Sequence, residues 1–183
     1  MNSSYLKQIG RALGAASLLA VGAAGAQGPD QYLYLRTPNN AVTARVTGDS
    51  VVGPDLSLAR DNKTLRGRAY DRTVFLGLNG NEVGGTVGGA LSRLTFENKG
   101  SVLEAQGSFA GNLARLTLST TELTGTVGAC SYELEATEDG GYRGSRSCGG
   151  LPERPVALAI PPALAQQGPA MTLATLALIL GQR

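Results

Sequence analysis

VFLGLNGNEVGGTVGGA (74–90) is one of five phrases of the same design that together span residues 55–151 and decide the fold. The other four are DLSLARDNKTLRGRAYDRT (55–73), RLTFENKGSVLEAQGSFAGN (93–112), ARLTLSTTELTGTVGACS (114–131) and YELEATEDGGYRGSRSCGGL (132–151). Each phrase opens with alternating apolar residues, passes through a polar or glycine-containing turn, and returns on a limb rich in glycine. This pattern predicts a meander of β-hairpins.

The turns inside the phrases use residues that tolerate a positive φ or bond their own backbone. Asn79-Gly80 and Asp139-Gly140 are the strongest hairpin signals, whereas 119–122 lacks glycine and is the weakest. Glycine within a strand weakens packing, so its repeated use on the return limbs predicts bulges, strong coiling or the close approach of another backbone. We therefore expect an all-β fold, an antiparallel meander of about ten to twelve strands coiled into a small barrel or a two-layer sandwich.

Composition excludes several classes of chemistry. The chain of 183 residues contains no histidine, which excludes histidine-dependent triads, Cys-His dyads and His-ligated zinc. Lys7 and Arg11 lie within the first 26 residues, and subtracting them from the 16 basic residues leaves 14, equal to the 14 acidic residues. Because no run of Lys or Arg supplies a basic face, we expect no nucleic-acid partner.

Residues 1–26 have the pattern of a secretory signal peptide. Lys7 and Arg11 form a positive segment, the apolar run 12–23 follows, and Ala24-Gly25-Ala26 offers small residues for cleavage before Gln27. An amphipathic N-terminal helix is the alternative. The apolar run is too short to span a membrane comfortably, so we expect a periplasmic or secreted protein with no membrane span after cleavage.

The remaining chain divides into three segments. Residues 27–54 form entry strands, with a first strand at Gln31–Arg36 and a second alternating strand at Ala41–Val52. Residues 55–160 form the hairpin repeat and end in a strand at Val156–Ile160. Residues 161–183 form a C-terminal helical segment packed on the same domain.

Cys130 and Cys148 are the only cysteines, and an even pair in an exported protein predicts a disulfide. The loop between them is of a size for which chain entropy contributes about 3 kcal/mol. A catalytic dithiol would more often be Cys-x-x-Cys.

The stretch 170–180 is apolar almost all round and follows Pro169, which suits the first position of a helix. Such a helix must be covered. It would plug or pack against the open end of the sheet, contact another protomer and so form an oligomer, or touch lipid. A closing strand over 172–180 is a further alternative, since short apolar runs are ambiguous.

Candidate site residues are few. Five tyrosines suit a recognition surface because they combine a rigid apolar ring with a polar tip, although core-edge packing also explains them. They are Tyr32, Tyr34, Tyr70, Tyr132 and Tyr142. Four carboxylates, Glu104, Glu122, Glu133 and Glu135, are the candidates for glycoside chemistry, although surface solubility explains them too.

These patterns favour a non-catalytic, exported β-domain that binds a protein or envelope component and uses no metal or cofactor. One alternative is a lipocalin-like or avidin-like carrier of a small apolar ligand, by analogy of architecture only. Another is a hydrolase that uses carboxylates alone.

The signal-peptide interpretation predicts that protein recovered from the envelope or the medium begins at Gln27. Intact-mass measurement under non-reducing conditions checks the N-terminus, and a mass two hydrogens below that of the reduced chain checks the disulfide. A mass that still includes residues 1–26 would show that this segment is not a cleaved leader.

Overall fold

The computed structural model describes residues 31–182. Within them, fourteen strands are followed by two helices. The strands are β1 (Tyr32–Arg36), β2 (Ala41–Val46), β3 (Ser50–Gly53), β4 (Leu56–Asp61), β5 (Thr64–Ala69), β6 (Arg72–Asn79), β7 (Glu82–Val87), β8 (Ala90–Lys99), β9 (Val102–Phe109), β10 (Asn112–Leu118), β11 (Glu122–Val127), β12 (Cys130–Ala136), β13 (Tyr142–Ser147) and β14 (Glu153–Ala159). The helices are α1 (Pro162–Gln166) and α2 (Pro169–Leu180).

The strands form one closed antiparallel barrel. Each strand pairs with the next in the chain, and β1 pairs with β14 to close the ring, with Leu35 opposite Leu158. Side chains alternate between a buried inner face and an exposed outer face, as Val42, Ala44 and Val46 do on β2. The predicted all-β meander with a C-terminal helix is confirmed, and the sheet closes as a barrel.

The five sequence phrases correspond to five consecutive hairpins, from β4–β5 to β12–β13. Because the chain runs up and down, the turns inside the phrases all lie at one end of the barrel and the turns between phrases lie at the other. We call these the α1 end and the disulfide end, after the elements described below.

Three boundaries differ from the sequence prediction. The single strand expected over 41–52 is two strands, because Thr47-Gly48-Asp49 makes a turn in which the Thr47 hydroxyl bonds the Asp49 carboxylate at 3.1 Å. The last strand begins at Glu153 rather than Val156. The short helix α1 was not predicted. With two entry strands, ten hairpin strands and a last strand, the division of 41–52 gives fourteen strands, above the ten to twelve expected.

The position of a glycine on each return limb is set by the residue opposite it on the neighbouring strand. In each of the five hairpins, a buried leucine of the first limb lies directly opposite a glycine of the second. The pairs are Leu58–Gly67, Leu76–Gly85, Leu94–Gly107, Leu116–Gly125 and Leu134–Gly144. At Gly85 φ is +149°, and a Cβ would lie 2.1 Å from the Phe75 carbonyl oxygen, so only glycine fits. Close backbone approach therefore explains these residues.

Helix α2 fills the barrel. All ten residues of Met171–Leu180 are buried, and the helix packs on β6, β7 and β9 of the wall. At its C-terminal end, Ala177 and Leu178 face the inner residues Val87 and Phe109. The predicted helix is confirmed over the alternative of a closing strand. Because this segment is covered by its own chain, an oligomer formed through 170–180 would require it to leave the barrel.

Polar contacts hold α1 and α2 to both ends of the barrel. At the α1 end, the Gln31 side chain accepts a hydrogen bond from the Ala163 amide at 2.9 Å, and Gln167 donates to the Thr47 carbonyl at 2.6 Å. Arg60 donates to the Gln167 carbonyl at 2.9 Å. At the other end, the Tyr132 hydroxyl donates to the Leu180 carbonyl at 2.6 Å. The helix thus runs through the lumen from the α1 end to the disulfide end.

The predicted disulfide between Cys130 and Cys148 is confirmed. Cys130 opens β12 and Cys148 follows β13, so the bond joins two neighbouring strands at the disulfide end. It closes the barrel rim near the point where α2 ends.

The Leu–Gly pairing predicts that neighbouring glycines respond differently to alanine. We expect Gly85→Ala to lower the free energy of unfolding by about 2–4 kcal/mol, because its Cβ meets backbone and its φ is strained. Gly84→Ala is the matched control, since its Cβ would lie 3.2 Å from the flexible Glu82 carboxylate and an ordinary 3.9 Å from the nearest backbone atom, the Ser92 carbonyl oxygen. We expect a change within about 1 kcal/mol for that variant.

Denaturant unfolding of both variants measures the difference. Equal destabilisation at Gly84 and Gly85 would show that loss of glycine as such, rather than the close approach to Phe75, sets the cost.

Candidate binding surface

Three of the five candidate tyrosines serve the barrel itself. Tyr132 points into the lumen and bonds α2, as described above. Tyr142 donates a hydrogen bond to the Ser119 carbonyl at 2.7 Å and so ties the β12–β13 hairpin to the β10–β11 turn. Tyr70 lies in the β5–β6 turn with a buried hydroxyl that has no partner among the described residues.

The environment of these three phenols disfavours their ionised forms. Burial raises the pKa of Tyr70 far above its ordinary value, and the charges of Asp55 and Tyr132 add to the shift. Burial likewise raises the pKa of Tyr132, against the opposing effect of Arg146, and it raises the pKa of Tyr142. These side chains are suited to packing and to hydrogen bonding in the neutral state.

Tyr32 and Tyr34 lie on the outer face of β1. Tyr32 is 43% exposed and Tyr34 is half-buried, while Leu33 and Leu35 between them face the core. The five tyrosines therefore do not converge on one site, and only the β1 pair is placed for recognition from outside.

The register brings Tyr32 into a row of outward side chains that crosses six strands. Each member lies directly opposite the next on the adjacent strand. The row is Tyr32, Arg45, Val52, Ser57, Arg68 and Thr73. Beside it on β5 and β6, Arg66 lies opposite Phe75, with its guanidinium 5.3 Å from the ring centroid.

We call the outer face of β1–β6 the basic wall and define it by Tyr32, Arg45, Val52, Arg66, Arg68 and Phe75. Its apolar members are unusually open, with Val52 50% and Phe75 52% exposed. Residues 32–79 contain seven basic and four acidic side chains, whereas residues 82–159 contain six basic and nine acidic ones. A chain with balanced charge thus folds into a barrel with a positive side and a negative side.

The negative side carries all four candidate carboxylates, and three of them lie close together. Glu122 lies directly opposite Glu135 on the next strand, and Glu133 is two residues from Glu135 on the same face. The three are exposed and line an open groove of about 510 Å³ with Arg143 and Arg154. We call it the acidic groove.

Glu104 is not part of the acidic groove. Its carboxylate accepts a hydrogen bond from Lys99 at 2.8 Å, and Lys99 also lies 3.5 Å from Glu97. Glu97 and Glu104 raise the pKa of the Lys99 ammonium, as expected for a cation held by two acids. This cluster is a solvated ion-pair network at the α1 end.

A second groove crosses the outer face of β8–β11, between the basic wall and the acidic groove. Thr95, Gln106 and Arg115 lie along it, and its volume is about 420 Å³ toward Glu97 and about 630 Å³ toward Leu113. Gly107 and Gly125, two of the glycines that lie opposite a buried leucine, also line it.

A charge is also buried in the wall near the disulfide end. Arg146 is 7% exposed and donates to the Glu153 carboxylate at 2.8 Å. It lies directly opposite the inward-facing Tyr132 on β12, so the regular alternation of β13 turns its side chain inward, and a register irregularity between β13 and β14 places Glu153 opposite it. The ion pair compensates the cost of burying the guanidinium, and it supports the tyrosine that bonds α2.

In residues 31–182 no group of three or more Cys, Asp or Glu side chains is arranged to hold a metal ion. None of the described helices is long and apolar enough to cross a membrane. The predicted signal peptide lies outside the described residues.

Comparison with protein-family models, with curated proteins and with solved structures found no match to this chain.

Sequence reasoning missed the basic wall. Arg45, Arg66 and Arg68 are far apart or alternate with other residues in the chain, so no charged run exists to signal a face. The alternation of apolar and polar residues predicts that each arginine points outward. Whether the arginines align in one row depends on the register between strands, which the sequence does not show.

The raised pKa values predict how the protein responds to alkali. The phenols of Tyr70, Tyr132 and Tyr142 favour the neutral form in the folded state, so their contribution to stability is complete below pH 10. It is lost as the pH rises beyond 10, because the unfolded chain then releases protons that the folded chain retains.

Ultraviolet absorbance titration of phenolate should show these three tyrosines ionising late and together with unfolding. The single variants Tyr70→Phe and Tyr132→Phe should each remove one late phenolate. Late ionisation that is unchanged in both variants would mean that other tyrosines carry the shift.

Proposed function

We propose that the protein is exported and acts as a non-catalytic binding or envelope-associated protein through the outer wall of its barrel. The observation that carries this proposal is the filling of the lumen by α2. The cavity beside the C-terminal end of α2, next to Val87 and Phe109, measures about 30 Å³, far below the roughly 300–1,000 Å³ of small-molecule sites. Recognition then falls to the outside of the wall.

Support for export comes from two features. Residues 1–26 have the charge and apolar pattern of a signal peptide, and the Cys130–Cys148 bond suits an oxidising compartment. A covalently closed rim on a closed barrel also suits a protein that works outside the cytoplasm, where refolding assistance is scarce.

The carrier alternative requires space inside the barrel. The residues that would line its ligand, such as Leu76 and Phe109, already belong to one continuous core with α2. To bind a small apolar ligand in the lumen, a carrier would therefore need α2 to move out of the barrel.

The carboxylate hydrolase is a second candidate because Glu122 and Glu135 oppose each other in the acidic groove. Directly opposed side chains on neighbouring strands have Cβ atoms about 4.5–5.5 Å apart, which is compatible with carboxyl separations used by glycosidases. The groove is open and its carboxylates are exposed, so the binding function is the stronger proposal. Glycan hydrolysis that Glu135→Gln abolishes and Glu104→Gln preserves would reverse this order.

The proposal is tested in the cell that makes the protein. Two variants remove charge from one side each: Arg66→Gln/Arg68→Gln on the basic wall and Glu122→Gln/Glu133→Gln in the acidic groove. We expect the wild-type protein to remain with the envelope or extracellular matrix fraction and one variant, still folded, to be released several-fold more readily by a salt wash.

Retention of both variants at the wild-type level would argue against binding through these surfaces. Recovery of the protein in the cytoplasm would argue against export. Circular dichroism and thermal unfolding of each purified variant establish that the barrel is intact.

A further inference from the structure

We propose that the basic wall binds an acidic polysaccharide, a linear polymer with carboxylates repeated along its chain. This inference rests on the proposed function, because it names the partner class of an outer-wall surface. Four properties of the wall support it: its charge, the spacing of its arginines, its curvature and the side chains between the arginines.

The charge of the wall is positive and of a type that recognises carboxylates. Arg45, Arg66 and Arg68 project from its strands, and guanidinium groups bind carboxylates through two parallel hydrogen bonds. The acidic residues of this half lie at the ends of strands or in turns. One ion pair of the wall, Arg68 with Asp71 at 3.6 Å, is exposed to solvent and is therefore easily exchanged for another carboxylate.

The spacing of the arginines favours a polymer over a single small anion. Arg45 on β2 and Arg68 on β5 share one row, three strands apart, which places their backbones about 14 Å apart. Arg66 lies two residues from Arg68 on the same face, about 7 Å away. No compact anion reaches all three sites, whereas successive residues of a charged chain reach them in turn.

The curvature of the wall favours a flexible chain over a flat partner. Its members span six of the fourteen strands of a closed barrel, which is more than a third of the circumference. A flat membrane or a flat protein face touches only a few adjacent strands of such a convex surface. A linear polymer follows the row around the barrel.

The side chains between the arginines suit sugars better than bases. Ser57 and Thr73 present hydroxyls in the row, and these pair with sugar hydroxyls. Tyr32 and Val52 offer apolar surface for the carbon faces of a sugar ring. Single-stranded nucleic acid requires aromatic rings on which successive bases stack, but the two exposed rings of the wall, Tyr32 on β1 and Phe75 on β6, lie five strands apart.

The test uses polygalacturonate, a linear uronic-acid polymer, with the mature, oxidised protein. Its methyl-esterified form is the matched ligand control, since it keeps the sugar chain and removes the carboxylate charge. We expect saturable binding of polygalacturonate by calorimetry, weakened by salt, and at least about tenfold weaker binding of the esterified polymer.

Two double variants locate the site. Arg66→Gln/Arg68→Gln should weaken binding about tenfold or more, because two charge-assisted contacts are lost. Arg93→Gln/Arg115→Gln removes the same charge from exposed arginines on β8 and β10 and should change affinity less than about twofold. Tyr32→Ser should weaken binding at high salt, where charge contributes least.

Several outcomes would overturn the inference. These are no binding of polygalacturonate, equal loss in both double variants, or tighter binding of the esterified polymer. Tighter binding of single-stranded DNA, or of vesicles containing phosphatidylglycerol, through Arg66 and Arg68 would assign the wall to nucleic acid or to lipid headgroups.

Failure of this inference is distinguishable from failure of the proposed function. If Arg66→Gln/Arg68→Gln releases the protein from its own envelope fraction but polygalacturonate does not bind, the wall is functional and its partner is not an acidic polysaccharide. If the variant is retained like the wild type, the wall itself is not the binding surface.

Discussion

The burial of an apolar helix inside a closed barrel is the constraint on which this structure depends. Helix α2 has no polar face, so it is stable in water only where the wall covers it on all sides. A closed sheet, in turn, needs its interior filled at the density of a protein core. Each element supplies what the other requires, and Met171–Leu180 joins the inner faces of the strands in one continuous core.

The wall meets this constraint through the repeated pairing of a leucine with a glycine. The leucine fills the space next to the helix, and the glycine opposite it lets the backbones approach where any side chain would collide. On the outside, two of these glycines, Gly107 and Gly125, also line an open groove. The repeated leucine–glycine pair thus sets the packing between the wall and the helix.

The polar contacts at the two ends of the barrel fix the position of α2 along the lumen. Tyr132, supported by Arg146 and Glu153, bonds the last turn of α2, and Gln167 fixes its first. With the lumen filled and both ends tied, the proposed recognition depends on the outer wall. The basic residues predominate on β1–β6 and the acidic residues on β7–β14. Because neighbouring strands in the chain are neighbours in the barrel, the two groups lie on different sides of the wall.

The sequence by itself determined the hairpins and the disulfide partners, and it favoured a helical C-terminus over a closing strand. These features depend on local alternation, on turns such as Asn79-Gly80, on the presence of two cysteines and on the run 170–180. The turn at Thr47-Gly48-Asp49 and helix α1 were missed because the alternation of 41–52 continues across the turn and 162–166 is too short to show a period. Tertiary structure alone decided the barrel closure between β1 and β14, the place of α2 in the lumen and the basic wall. These depend on register between strands, which places Arg45 beside Val52 and Arg68 beside Thr73 although no local pattern links them.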